Sequence, residues 1–254
     1  MQLFAKKMLV AAGLFVFSLP CSANAAVIFY GGNPVSGGAL EDQIDNSGVK
    51  LTVVGYDNFF VPAGGTYTIN DVFGEFGLPV GSAFGDAVYE IRTGMNNGAG
   101  GVLLASDELP VTITPGVGGP INGSNPGLPP QRVQVNLPVP LVLTGGLTGV
   151  NYWIGLAPDT TGNSFNTFLG TTGANSPTGV NLPPTQTAFE HQIYTNPVTQ
   201  QPVDQFIAGP YTSIGLDGTR IVVPEPATAA LAVAGLIVAS ANRRRRGGNY
   251  QRIE

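Results

Sequence analysis

A single histidine, His191, lies in the run Phe189-Glu190-His191-Gln192-Ile193. If that run is a strand, alternation puts the imidazole on the side of Phe189 and Ile193. A general base needs an activated nucleophile and an orienting partner. No serine occupies a Gly-x-Ser-x-Gly turn, and nothing in the sequence supplies His191 with a partner. A packed or edge histidine is therefore expected. One histidine and one cysteine, Cys21, fall short of a zinc set. The glycines of residues 94–101 are followed by no helical pattern and accompanied by no lysine, so they suit turns better than phosphate binding. Glu41, Asp42 and Asp45, in Glu41-Asp42-Gln43-Ile44-Asp45-Asn46, are the weak calcium candidate: hard oxygen ligands close in sequence. Their spacing matches no EF-hand, and a solvated acidic turn is the preferred reading; Asp107-Glu108 is read as loop surface. For stacking on sugars the chain offers Trp153, Tyr56, Tyr194 and Tyr211, with core packing preferred for Trp153. A glycosidase-like site would show two close carboxylates in a shallow cleft, and none is expected. No catalytic residue, metal or cofactor is assigned.

The elements that must position these side chains read as strands. Short alternating or β-branched runs recur between clusters of Gly, Pro, Asn and Asp, with no helical period longer than a turn or two. Residues 131–137 alternate, placing Val133, Val135 and Leu137 on one face and Arg132, Gln134 and Asn136 on the other. Ala87, Tyr89 and Ile91 form another inward set, as do Tyr152, Ile154 and Leu156, which leaves Trp153 facing outward or toward a second sheet. Thr66 to Ile69 alternate until Asn70-Asp71, where Val72 falls out of phase and predicts a bulge or turn. Further strands are expected at 27–30, 49–54, 59–61, 102–105, 111–114, 141–144, 165–169, 188–194 and 220–223, with one more possible within 197–210. Long loops are expected at 94–101, 115–130 and 170–184. About ten antiparallel strands suit an all-β, two-sheet sandwich. The phrase from Asp57 to Ile69, with Tyr152-Trp153-Ile154, resembles jelly-roll or immunoglobulin-like modules.

Composition narrows the partners. Residues 26–222 hold four basic groups, Lys50, Arg92, Arg132 and Arg220, against fourteen acidic ones, so nucleic-acid binding is excluded on charge. Gly 36 and Pro 21 mark a loop-rich body, while 43% hydrophobic residues argue that it folds. Setting both ends aside leaves roughly 200 residues, enough for one domain with a substantial core.

The two ends carry the strongest signals. Lys6 and Lys7 precede the apolar run 8–19, and Ala23-Asn24-Ala25 supplies small residues for signal peptidase, so 1–25 reads as a signal peptide cut after Ala25. The apolar run spans only about 18 Å as a helix, short of a roughly 30 Å hydrocarbon core, which disfavours a retained anchor. An acylated Cys21 is the other alternative, disfavoured by Pro20 before it. At the C-terminus come Val223-Pro224-Glu225-Pro226, the uncharged stretch 227–241, then Arg243-Arg244-Arg245-Arg246.

That three-part order resembles the PEP-CTERM sorting signal, over about the last thirty residues. Residues 223–246 are assigned to it, with a transmembrane helix at 227–241 and a short cytoplasmic tail at 247–254; such proteins usually stop at the arginines. Four arginines stay cytoplasmic by the positive-inside rule, which places residues 26–226 outside. Pro224 and Pro226 favour an extended segment that displays Glu225 at the membrane-water boundary. The resemblance implies an exosortase-type membrane protease as partner. The protein is then an exported substrate, membrane-anchored at first and afterwards at the cell surface or extracellular, with a non-enzymatic structural or adhesive role. A carbohydrate-binding module attaching to exopolysaccharide and a secreted hydrolase remain as alternatives, and an ordinary C-terminal anchor is the plain alternative for the tail.

Overall fold

A computed structural model describes residues 26–221, apart from 47–51, 80–81, 83, 122–126, 164 and 197–198. The signal segment 1–25, the motif 223–226, the apolar stretch 227–241, the arginines 243–246 and the tail 247–254 lie outside the described residues. Among the described residues no helix is long and apolar enough to cross a membrane.

The described chain is all-β, with twelve strands: β1 (Ala26–Tyr30), β2 (Ala39–Glu41), β3 (Thr52–Val61), β4 (Thr66–Gly77), β5 (Asp86–Thr93), β6 (Val102–Pro115), β7 (Pro130–Thr144), β8 (Val150–Pro158), β9 (Phe168–Gly170), β10 (Ala188–Thr195), β11 (Pro202–Ala208) and β12 (Ile214–Ile221). All pair antiparallel along one path, β1-β12-β4-β7-β6-β5-β8-β3-β10-β11, with β9 beside β4 and β2 beside β9. The path folds into two facing layers because β6 changes partner. Its residues 102–110 pair with β5, and its residues 111–115 pair with β7. Pro110 sits at the change, still opposite Asp86.

Alternation built the core between the layers as expected. Val133, Val135 and Leu137 of β7, Ala87, Tyr89 and Ile91 of β5, and Tyr152, Ile154 and Leu156 of β8 are buried in one cluster. Several expected pairs of strands are single ones. Residues 102–105 and 111–114 belong to β6, residues 131–137 and 141–144 to β7, and residues 52–54 and 59–61 to β3. The last strand lies mostly before residues 220–223, at 214–221, and β2 was not foreseen. Prolines suggested breaks that the sheet absorbs. Leu137, Pro138, Val139 and Pro140 bow out of β7 opposite Asn70, where a proline forfeits no ladder hydrogen bond. Asn70 is also the extra residue against β12, since Ile69 pairs with Gly218 and Asp71 with Asp217. The phase slip at Asn70-Asp71 is thus a bulge within a continuous β4.

Phe59 of β3 is the centre of the packing. It is fully buried, and its ring lies 5.6 Å from Phe29 of β1, 5.7 Å from Tyr152 of β8 and 6.5 Å from Tyr67 of β4. Phe59 and Tyr152 come from one layer and Phe29 and Tyr67 from the other, so this aromatic group joins the two sheets. Truncating a buried phenylalanine removes its transfer energy and leaves a cavity, at a cost of about 3–5 kcal/mol. Phe59→Ala should therefore lose a large share of the total stability, read as a lower denaturation midpoint in urea. A midpoint within error of the wild type would show that the sheets are held elsewhere.

Candidate functional site

The outer face of the second layer carries the densest group of chemically capable side chains. Alternation on neighbouring strands brings together Arg92 and Glu90 of β5, Trp153 of β8, Tyr56 of β3, Phe189 and His191 of β10, and Phe206 and Asp204 of β11, through the pairs Arg92 with Trp153, Phe189 with Tyr56, and His191 with Phe206. Glu90 is the hub. Its Oε2 accepts 2.6 Å hydrogen bonds from both the Tyr56 hydroxyl and Arg92 Nε. Arg92 also donates from Nη1 to the Gly100 carbonyl at 3.2 Å and lies over the Phe206 ring at 5.2 Å. Burial and the Glu90 carboxylate push the Tyr56 phenol well above its usual value, which keeps it a donor.

Residues 94–101 fold over this face. Gly98 N donates to the Phe206 carbonyl at 2.9 Å, and a Cβ on Gly100 would run into the Phe206 ring. The glycines of this segment serve a tight cover, with Gly98 at φ 88° and Gly101 at φ 64°. His191 stacks on Phe206 at 4.1 Å, and its Nε2 lies 2.8 Å from Asp204 Oδ1. It is a packed histidine on the same face as Phe189, as the alternation implied. The carboxylate holds the ring, and no nucleophile shares a hydrogen bond with it among the described residues. Tyr56 is fully buried and Trp153 is 7% exposed, its Nε1 donating to Thr187 Oγ1 at 3.2 Å. Neither presents a ring face to a sugar. Tyr194 and Tyr211 are half-buried, and Tyr211 donates to the Gln186 carbonyl.

The first layer's outer face repeats the arrangement. Arg132 donates from Nε and Nη2 to Glu75 Oε1 at 2.8 and 2.6 Å and lies 4.2 Å over the Phe73 ring. Glu75 is fully buried, and its Oε2 accepts from Val117 N at 3.1 Å. Sequence reasoning placed Arg132 on the outer face and missed its partner. Glu90 and Arg92 could have been paired from their spacing of two along one strand.

The calcium candidates do not converge. Among the described residues no three His, Cys, Asp or Glu side chains form a group that could hold a metal. Asp42 is fully buried rather than solvated, with Oδ2 accepting from Gly55 N at 3.3 Å. Burial, reinforced by the nearby Glu190 charge, raises it well above the carboxylate range, against the pull of that hydrogen bond. Glu41 accepts from Gln43 Nε2, and Asp45 is also buried.

Two carboxyls do come close to one another, on the exposed surface. The carboxyl of Glu108 on β6 lies near that of Asp159, and slight desolvation together with Asp159, Asp86 and Asp107 raises its pKa. Glu108 and Asp107 are exposed on β6 rather than set in a cleft, so Glu108 and Asp159 lack the walls that would hold a glycoside between them. Asp57 is the other acid of interest. It is buried in β3, and its Oδ2 accepts from Thr212 N at 2.8 Å and Thr212 Oγ1 at 3.3 Å. It binds β3 to the segment leading into β12.

Burial lifts the Asp57 carboxyl from its ordinary value of 3.8 to about 7, although the Thr212 bonds pull it down. The folded state therefore binds a proton that the unfolded chain has released. Stability falls as pH rises from about 4 to about 7 and levels off above. The protein should melt several degrees higher at pH 5 than at pH 8, by roughly 5 °C or more, and Asp57→Asn should make that slope shallower while the share of the buried Asp42 stays. A melting curve unaffected by pH in the wild type would remove this role.

On the second layer, Arg92→Met should leave the strands in place and release residues 94–101. Amide exchange at Gly98 should quicken roughly tenfold, the loss of a charge-assisted bond of about 1.4 kcal/mol, while amides around Phe59 keep their protection. Equal acceleration in both regions would mean that Arg92 supports the whole fold rather than the cover.

No family model matches the chain, and no curated protein matches it.

Proposed function

We propose that the chain is an exported cell-envelope or extracellular-matrix protein, sorted through its C-terminal PEP-CTERM-like signal by an exosortase-type membrane protease, with a non-enzymatic structural or adhesive role. The observation that carries this reading is the uninterrupted order of Val223-Pro224-Glu225-Pro226, the uncharged stretch 227–241 and Arg243 to Arg246. Its position supports it as well. The last described strand, β12, includes Ile221, two positions before Val223, and the first, β1, includes Ala26, the residue after Ala23-Asn24-Ala25. A β body between two processing segments is what export and later release require.

The same proposal takes the body as a jelly roll rather than an immunoglobulin-like module. Successive strands β3, β4, β5 and, through β6, β7 and β8 pass back and forth between the layers. The orders β1-β12-β4-β7 and β3-β8-β5-β6, four strands to each layer, support this reading. β10 and β11 then extend the second sheet as an added hairpin beside β3.

The carbohydrate-binding alternative loses its best platforms with Tyr56 and Trp153 turned to packing. The hydrolase alternative rests on Glu108 and Asp159 alone, on an open surface. The test is the intact mass of the protein from its native host, with and without the exosortase. We expect loss of residues 1–25 in both, and loss of Arg243 to Arg246 only when the protease is present. Retention of those arginines in the mature protein of the wild-type host would overturn the reading.

A further inference from the structure

The strand register places both ends of the body at one end of the sandwich. Ala26 pairs with Gly218 in β12, and Ile221 pairs with Thr66 at the start of β4, which in turn faces Thr144 at the end of β7. The turn 62–65 from β3 to β4 and the turn 145–149 from β7 to β8 close this end. They are bonded to each other, from Gly64 N to the Gly146 carbonyl at 2.8 Å and from Gly145 N to the Gly65 carbonyl at 3.0 Å.

This end is unlike the rest of the surface. Leu147 at the turn is 97% exposed, Ile221 is 64% exposed, and Val142 stands exposed on the β7 segment beside them. Val102, the exposed first residue of β6, opens at the same end, opposite Thr93. Charge is arranged to match. The end rows, residues 66–69, 141–144 and 218–221 in the first layer and 59–61 and 150–152 in the second, contain no acidic residue, and neither do the turns 62–65 and 145–149. Their one cation is Arg220, which donates to Asn181. All fourteen acidic groups of the body lie farther along the strands, with Asp45, Asp86, Asp159 and Asp204 at or near the opposite end.

The chain that follows sets the distance. Only residues 222–226 separate Ile221 from the apolar stretch 227–241. Five residues reach at most about 18 Å fully extended, and the headgroup layer on one side of a bilayer takes up about 5–8 Å of that. A body on so short a tether is held against the surface in which its tail is seated, with its own tail end facing it. An acidic end in that position would be repelled by anionic headgroups within a Debye length. A neutral end bearing exposed Leu, Ile and Val gains by entering the interface.

We propose that the end of the sandwich formed by turns 62–65 and 145–149 rests on the lipid surface, with Leu147, Ile221, Val142 and Val102 in the interfacial layer and the acidic end pointing away. This inference rests on reading residues 227–241 as a membrane anchor. It adds an oriented contact of the body itself.

The chain from Ala26 to Glu254 contains no cysteine, so single labels report cleanly. Leu147→Cys and, at the β10–β11 turn on the opposite end, the exposed Gln201→Cys would each carry an environment-sensitive NBD group, in vesicles of phosphatidylethanolamine and phosphatidylglycerol. Neither substitution disturbs packing. On vesicle binding the label at 147 should move to shorter wavelength, brighten several-fold and be quenched by lipids spin-labelled high on the acyl chain, while the label at 201 behaves as in water. Flotation of the same samples reports the anchor separately. Protein that floats with a water-exposed label at 147 would overturn the oriented contact and leave the anchor standing; protein that does not float would overturn both.

Discussion

Phe59 stands where the two layers meet, and the arrangement of the body depends on that contact. The only cysteine of the chain is Cys21, so no disulfide joins the sheets of residues 26–221. What replaces a covalent tie is an aromatic group drawn from four strands, Phe59 with Phe29, Tyr67 and Tyr152. Its neighbours are aliphatic side chains from alternate positions of the same strands. Because interiors are packed near crystal density, this group sets the spacing of the layers and hence the path of β6 between them. Asp57, two residues earlier on the same face of β3, adds a polar tie through Thr212. Apolar contact and a buried carboxyl thus act from adjacent inward positions of one strand.

With the interior closed, each outer face is covered by the same device. An arginine is held by a glutamate and lies over an aromatic ring: Arg92, Glu90 and Phe206 on one side, Arg132, Glu75 and Phe73 on the other. A guanidinium suits this use, since its flat face stacks while its edge donates in a fixed fork. In both cases the cluster also fixes a loop, through the Gly100 carbonyl in one and Val117 N in the other. Two of the body's four basic residues are consumed in this way. The remaining surface is acidic, and its acids sit away from the end where the chain leaves the fold. Scarce positive charge serves to fasten loops, and the end of the sandwich that holds Ala26 and Ile221 is left neutral.

Much of this was legible in the residues. Strict alternation in 87–92, 131–137 and 151–156 announced which side chains face the space between the layers, because side-chain direction in a strand is a local property with a period of two. The phase slip at Asn70-Asp71 announced the bulge for the same reason. His191 as a packed histidine followed from Phe189 and Ile193 alone. The processing signals proposed for the two ends rest on charge order and apolar length, which require no knowledge of the fold.

The pairing of strands was not legible. Whether residues 102–105 and 111–114 make one strand or two depends on which neighbours accept their backbone groups, and those neighbours, β5 and β7, are supplied by distant parts of the chain. Tyr56 was nominated as an exposed ring and is buried. Alternation assigns a side chain to a face, but only residues 94–101 and the rings of β10 and β11, folded over that face, decide whether it meets water. Glu108 and Asp159, fifty-one positions apart, meet for a similar reason. By itself the sequence determined the strand class, the inward sets and the charge order of the termini, all of which are set by near neighbours. The tertiary structure alone decided the two-layer path of β6, the covered arginines and the neutral end, because each is a property of segments that meet only after the sheets have closed.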